Sequence, residues 1–222
     1  MNFLHWLVDY SHAAKGHIHS LIIKKPQGHY ISDSDDKGNV ILIPGVYSKW
    51  HFLKKIGDSL SREGYSVHIV EKIKYNRRAI HEEAAKLHVY IEENHLTNIV
   101  LITHSKGGLI GKHYLVHHNK DGKVVKLVAI ATPFSGTNIG KIVKTQTVKE
   151  LLPESESILS LNKVTDVNYM ITSIFPESDN HVWHDDQSYL ENAENIVLKL
   201  KGHHKILDSK ELVRVIKQKL ES

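Results

Sequence analysis

The chain has 222 residues, of which 41% are hydrophobic and 24% charged, as expected for one soluble globular domain with a sizeable core. The formal net charge of +4 comes from 29 basic residues spread among 25 acidic ones, and without a basic block interleaved with aromatic residues we expect no nucleic-acid partner. The absence of cysteine excludes a disulfide framework, a thiol nucleophile and a thiolate metal site, and it fits a reducing, cytoplasmic location.

The first nine residues form an apolar run with no basic residue before it, and the run ends at Asp9. This run is too short for a secretory signal and far too short to span a bilayer. We therefore expect a helix that packs on the body of the domain, without stable membrane insertion. A role of its apolar side chains as a lid or a membrane contact is the alternative.

Further along the chain, strand-like apolar runs alternate with stretches of helical periodicity. Predicted strands cover residues 40–43, 65–70, 98–102, 124–130, 167–174 and 196–200. Predicted helices cover residues 50–62, 77–95, 106–118 and 209 onwards. This alternation predicts an α/β fold, with a doubly wound, mostly parallel sheet in one domain over residues 1–222. In such sheets, ligands bind beyond the carboxyl ends of the strands.

A stretch between two predicted strands, residues 134–164, is longer than a simple crossover needs and rich in apolar residues. A small helical cover over the site, acting as a lid, is one interpretation. A crossover helix packed on the sheet is the other.

The most informative segment is residues 103–108, Thr-His-Ser-Lys-Gly-Gly, which follows a predicted buried strand and precedes a predicted helix. A serine at a sharp turn from strand to helix is lifted above the sheet edge, and the backbone N–H groups after it point to the same space. Ser105 is therefore the candidate nucleophile, and the alternative is an ordinary glycine-rich loop.

A serine nucleophile needs a base and an acid, and candidates follow the last two strands in the expected chain order. His203, between the last strand and the final helix, is preferred to His204 as the base. Asp179 is the preferred acid, with Glu177 in reserve. Two further carboxylates, Asp185 and Asp186, remain open as alternatives.

Backbone N–H groups of two turns are the candidate oxyanion donors. The N–H of Lys106 follows the nucleophile directly. The second donor is expected in the turn after the first strand, from Val46 or from Tyr47, where Gly45 permits a close approach.

The chain contains 18 histidines, which raises the question of a metal site. His17 with His19 is one conceivable ligand set, and the other is His181, His184, Asp185 and Asp186. Neither set has a spacing that fixes its geometry. We therefore expect most of these histidines on the surface, with no metal and no cofactor.

Three segments together resemble the lipase and esterase branch of the α/β-hydrolases. Residues 103–108 are similar to its nucleophile elbow, with a His-Ser-x-Gly-Gly core. Residues 131–137, Ala-Thr-Pro-Phe-Ser-Gly-Thr, are similar to the Ala-Thr-Pro-His-x-Gly-Ser segment of such lipases. Residues 150–162 resemble the Leu-x-Pro-x-Ser-x-x-Leu-x-x-Leu run that follows it.

The resemblance implies a triad of Ser105, Asp179 and His203 and an oxyanion hole formed by the N–H groups of Val46 and Lys106. The chain departs from the pattern at Thr103, where the family has a small residue, and at Phe134, where it has histidine.

We therefore predict a serine hydrolase that cleaves carboxylic esters of apolar acyl groups through an acyl-enzyme, with a small-molecule ester or a lipid as substrate. A thioesterase or acyltransferase would use the same triad. A metal-dependent hydrolase and a non-catalytic binding protein of the same fold are more distant alternatives.

Overall fold

A computed structural model describes residues 37–182 and 187–221, together with Asp9, Ser11, His12, Ala14 and Tyr30. Most of the predicted amino-terminal helix therefore lies outside the described residues. The same holds for five residues considered as metal ligands or acids: His17, His19, His184, Asp185 and Asp186.

A six-stranded sheet forms the centre of the molecule, in the order β2-β1-β3-β4-β5-β6, with every neighbouring pair parallel. Its strands are β1 (Asn39–Ile43), β2 (Ser66–Ile69), β3 (Ile99–His104), β4 (Val124–Ile130), β5 (Ile171–Ser178) and β6 (Glu194–Lys201). The doubly wound sheet is confirmed. We predicted a mostly parallel sheet, and in the structure all six strands are parallel.

Helices cover both faces of this sheet. They are α1 (Lys54–Ser61), α2 (Ile80–Glu93), α3 (Lys106–His117), α4 (Gln146–Lys149), α5 (Glu156–Lys163) and α6 (Lys210–Glu221). Helices α2 and α3 pack on one face and α1 and α6 on the other. Side chains of β1 alternate between the two cores, with Ile41 and Ile43 in one and Val40 and Leu42 in the other.

Strand β5 begins four residues later than the predicted strand at 167–174. Asn168–Met170 form a short 3-10 turn, and the strand continues through Pro176 to Ser178. Pro176 is tolerated because β4 pairs with β5 only as far as Ile174, so the proline lies where β5 has a neighbour on one side only.

Residues 134–164 fold into a 3-10 turn (Asn138–Lys141) followed by α4 and α5. Ile158 and Leu161 of α5 join the core beside α2 and α3, whereas Ile142 is 66% exposed. The segment therefore combines a packed crossover helix in its second half with an exposed apolar element in its first half. Among the helices of the described segments, none combines the length and apolar character needed to cross a membrane.

Candidate active site

Ser105 lies at the turn between β3 and α3 with φ 53° and ψ −125°, a left-handed conformation that is strained for a residue other than glycine. Neighbouring groups hold this conformation. The Ser105 N–H donates to the carbonyl of Ile130 (2.9 Å). The Ser105 carbonyl accepts from the Gly108 N–H (3.0 Å) and from Oγ1 of Thr132 (3.0 Å). The residue retains 7% exposure, so Ser105 sits at the inner end of a recess.

Two glycines allow this turn to pack against the sheet. A Cβ on Gly107 would lie 2.4 Å from the carbonyl oxygen of Ile43, and one on Gly108 would lie 2.1 Å from Oγ1 of Thr132. Thr103, one of the two residues that depart from the family pattern, is buried, and its Oγ1 donates to the carbonyl of Val128 (3.2 Å). A hydroxyl at this position is therefore satisfied within the sheet, and the turn keeps its sharp geometry.

His203 and Asp179 form a buried pair, with Nδ1 of His203 2.8 Å from Oδ2 of Asp179. The other carboxylate oxygen of Asp179 accepts the N–H groups of His181 (2.7 Å) and Val182 (3.0 Å). The structure thus brings the preferred acid and the preferred base together. Glu177, the reserve acid, is exposed at the end of β5.

Each member of the pair shifts the pKa of the other. Burial favours a neutral Asp179, but the charge and hydrogen bond of His203 and the two N–H donors outweigh it and hold the pKa of Asp179 below its usual value. Burial likewise disfavours a charged His203, but the Asp179 carboxylate holds the pKa of His203 above its usual value. The pair therefore favours the charge distribution of a carboxylate beside an imidazolium.

The main chain of His203 is fixed by two side chains that the sequence analysis did not single out. Oδ1 of Asn180 accepts the His203 N–H (3.0 Å). Nε2 of His104 donates to the His203 carbonyl (3.1 Å), and complete burial keeps the pKa of His104 well below its usual value, so this ring is neutral. Asn180 follows Asp179 and His104 precedes Ser105. Their positions beside predicted site residues were the sequence signal that could have identified them.

Ser105 and His203 line one cavity of about 240 Å³, together with His204, Gly45 and Val46. Its apolar lining consists of Pro133, Ile139, Val143, Val148, Leu151 and Val182. A larger cleft of about 890 Å³, lined by polar and charged residues such as Arg78 and Glu150, includes none of the predicted site residues among those described.

The N–H groups of Val46 and Lys106 donate no hydrogen bond to any residue that the structure describes. Gly45 packs against the turn so closely that a Cβ there would lie 3.1 Å from Cβ of Ser105. The Lys106 N–H is the next donor along the chain from Ser105. The site therefore offers two free backbone donors on segments that adjoin Ser105.

The side chain of Lys106 is buried and points away from these donors. Its Nζ donates to Oγ1 of Thr147 in α4 (2.6 Å) and to the carbonyl of Arg78. Burial lowers the pKa of Lys106 from its ordinary 10.5 to about 8. This lysine ties the start of α3 to the region over the cavity.

Among the described histidines only His81, His95 and His117 are exposed, and most of the others are half-buried. Several histidines surround His203. The ring centroids of His104 and His181 each lie 4.6 Å from that of His203, and the centroid of His204 lies 5.1 Å away. Burial and the nearby His203 lower the pKa of His181 to about 3.

Asp9 reaches this cluster from the amino-terminal segment. Its Oδ1 accepts the N–H groups of His204 (2.7 Å) and Lys205 (2.9 Å). The sequence held no signal for this contact, because 195 residues separate the carboxylate from His204.

A family model described as a PGAP1-like alpha/beta domain matches residues 63–207, well over half of the chain. No curated protein sequence matches this chain at a significant level. Several solved structures are similar to the fold at low sequence identity.

The mature lipase BlEst2 of Bacillus licheniformis has a TM-score of 0.67 at 15% identity, covering 89% of this chain and 95% of that one. The monoacylglycerol lipase of Paleococcus ferrophilus has a TM-score of 0.62 at 15% identity, covering 86% and 96%. An alpha/beta hydrolase enzyme from a lagoon-sediment metagenome has a TM-score of 0.62 at 15% identity, covering 86% and 92%. These likenesses confirm the predicted α/β-hydrolase fold.

Proposed function

Because the chain belongs to the family of PGAP1-like alpha/beta domains, we propose that it is a serine hydrolase that cleaves carboxylic esters with Ser105 as nucleophile. One observation carries the proposal. The buried pair of His203 and Asp179, joined at 2.8 Å, contributes its imidazole to the cavity that Ser105 also lines. A carboxylate within hydrogen-bond distance of the histidine also argues against a non-catalytic binding protein.

In this mechanism the Ser105 hydroxyl attacks the ester carbonyl and His203 accepts its proton. Asp179 holds the proton of His203 on Nδ1, which leaves Nε2 as the basic nitrogen, and it stabilises the imidazolium that forms. His203 then donates the proton to the departing alkoxide, leaving an acyl-enzyme on Ser105. Water activated by the same histidine hydrolyses the acyl-enzyme and regenerates the serine.

The N–H groups of Lys106 and Val46 are the proposed oxyanion donors. They make no hydrogen bond within the described structure, so they are free to bind the negative oxygen of the tetrahedral intermediate. Such donors act mainly on the transition state, because the charge on that oxygen develops only there. The strained backbone of Ser105 keeps its hydroxyl close to them.

The lining of the cavity supports an apolar acyl group as the part of the substrate bound beside Ser105. Ile139, Val143, Val148 and Leu151 all come from residues 134–164. This segment therefore acts as the cover of the site within a single catalytic domain. At about 240 Å³, the cavity suits an acyl chain of short to medium length.

Labelling with a fluorophosphonate probe tests the proposal directly, since the probe reacts only with an activated serine. We expect one equivalent of label on Ser105 and none in Ser105→Ala, with p-nitrophenyl butyrate hydrolysed by the wild type alone. Folded wild-type protein without label would reject the serine hydrolase. Faster turnover of thioesters, or transfer to an added alcohol in preference to water, would identify the thioesterase or the acyltransferase.

A further inference from the structure

Three side chains from distant parts of the sequence meet beside the proposed site. Asp9, His181 and His204 each contribute one potential metal-ligating atom, and these three atoms lie within 4.8 Å of one another. His181 follows β5, and His204 follows β6. The cluster combines two imidazoles and a carboxylate, none of which has a part in the proposed ester hydrolysis.

The burial of the Asp9 carboxylate also points to a bound cation. Asp9 is 0% exposed, and its Oδ1 accepts two backbone N–H groups. Its Oδ2 is also buried but accepts no hydrogen bond from any residue that the structure describes. A buried carboxylate oxygen without a donor is costly, and a bound cation would satisfy it.

We propose that Asp9, His181 and His204 bind one divalent transition-metal ion, and that zinc fits this ligand set best. Zinc accepts imidazole nitrogen and carboxylate oxygen at about 2.0–2.2 Å. Two imidazoles and a carboxylate suit zinc better than magnesium or calcium, which prefer oxygen ligands alone. From separations below 4.8 Å, small side-chain rotations bring the three atoms onto one ion.

The surroundings of the cluster hold its ligands in place. The N–H groups of His204 and Lys205 orient the Asp9 carboxylate, as outer hydrogen bonds do for metal ligands in general. The carbonyl of His181 accepts from Oγ1 of Thr137 (2.5 Å). A Cβ on Gly202 would lie 2.6 Å from Oδ1 of Asp9, so glycine is needed to admit the carboxylate.

The position of the ion gives it a structural role. It connects the amino-terminal segment to the loop that carries Asp179 and to the loop that carries His203. Metal binding therefore stabilises the folded protein by linking three segments, and it takes part in no step of ester cleavage. The inference stands independently of the proposed hydrolase, because it is tested by binding and stability.

The test is calorimetric titration of the metal-free full chain with Zn²⁺, supported by Co²⁺ absorption spectra that report a tetrahedral site. We expect one tight site in the wild type and at least about 100-fold weaker binding in Asp9→Asn. Asparagine preserves the Oδ1 acceptor and removes only the second carboxylate oxygen. His117→Gln, at an exposed histidine, is the control and should bind as tightly as the wild type.

Thermal unfolding supplies the second readout. At Zn²⁺ about 100-fold above the wild-type Kd, the Tm of the wild type should rise by about 5–10 °C, and that of Asp9→Asn by at most about 2 °C. Should Asp9→Asn fail to fold, His204→Gln, which leaves the main-chain contacts of Asp9 intact, takes its place. Zinc affinity and Tm shift equal to those of the wild type in either folded variant would overturn the proposal and place the metal on surface histidines.

Discussion

His104, the residue before the proposed nucleophile, donates a 3.1 Å hydrogen bond from Nε2 to the main-chain carbonyl of His203. The bond joins two residues 99 positions apart and sets the distance between the turn of Ser105 and the loop of the proposed base. His104 is therefore a positioning residue, since it acts through His203 and not on the substrate.

His104→Phe keeps an aromatic ring and removes the donor. We expect kcat to fall about tenfold with KM nearly unchanged, and the free energy of unfolding to fall by about 1–3 kcal/mol because a buried carbonyl loses its partner. Steady-state kinetics and chemical denaturation measure both. His113→Phe, at a half-buried histidine outside the cavity, is the control, and equal losses in the two variants would argue against positioning.

Asp179→Asn removes the charge that stabilises the imidazolium of His203 while preserving an acceptor for the N–H groups of His181 and Val182. We expect kcat to fall by about 10³–10⁴-fold, the size typical of losing a triad acid. Ester hydrolysis under saturating substrate measures it. Glu177→Gln, at the exposed reserve acid, should keep wild-type activity. The reverse result for the two variants would transfer the role of the acid to Glu177.

The buried Lys106 makes the stability depend on pH. Its pKa is about 8 in the folded protein and ordinarily 10.5, so between these values the unfolded chain binds a proton that the folded protein has released. The free energy of unfolding therefore rises with pH across this window, by about 3 kcal/mol at most, and the gain is absent below pH 8.

Lys106→Met removes this dependence, because methionine fills the space without titrating. The difference in unfolding free energy between wild type and variant should change by about 3 kcal/mol from pH 8 to 10.5. Urea denaturation at several pH values measures it. Lys144→Met, at an exposed lysine, should retain the wild-type slope. A Lys106→Met slope equal to that of the wild type would show that the buried amine does not titrate in this range.

Ile139 and Ile142 form a matched pair for testing the cover, because Ile139 lines the cavity whereas Ile142 is 66% exposed and lies outside it. Ile139→Trp narrows the cavity, so we expect kcat/KM for p-nitrophenyl octanoate to fall about tenfold, with the acetate ester little affected. Ile142→Trp should alter neither. Loss of acetate hydrolysis in Ile139→Trp would place the side chain at the reacting carbonyl and not along the acyl group.

The sequence was most informative where local rules decide the structure. The helix around Ile80, Ala84, Leu87 and Ile91 was predictable because apolar residues at this spacing lie on one helical face, and all four are buried. The turn at Ser105 was predictable because the serine comes at the end of an apolar strand and two glycines, Gly107 and Gly108, follow it closely. In both cases the signal lies within a few consecutive residues.

Two features that depend on long-range contacts, the start of β5 and the burial of Asp9, were beyond sequence reasoning. The start of β5 was placed too early, because the point where its pairing with β4 begins, at Ile171, cannot be read from its own residues. Nothing local distinguishes Asp9 from a surface aspartate, yet it is buried against the loop after β6. The triad and oxyanion assignments stay predictions, supported by Ser105, His203 and Val46 lining one cavity and by the hydrogen bond between Asp179 and His203.

The contact of Asp9 also bears on how the protein should be prepared. A chain shortened so that it begins after residue 9 would keep Ser105, Asp179 and His203, yet two N–H groups of the segment that follows His203 would lose their acceptor. Such a fragment would fold around an intact sheet with a loosened loop at the carboxyl edge of its strands. For recombinant work, an affinity tag therefore belongs at the carboxyl end, after α6.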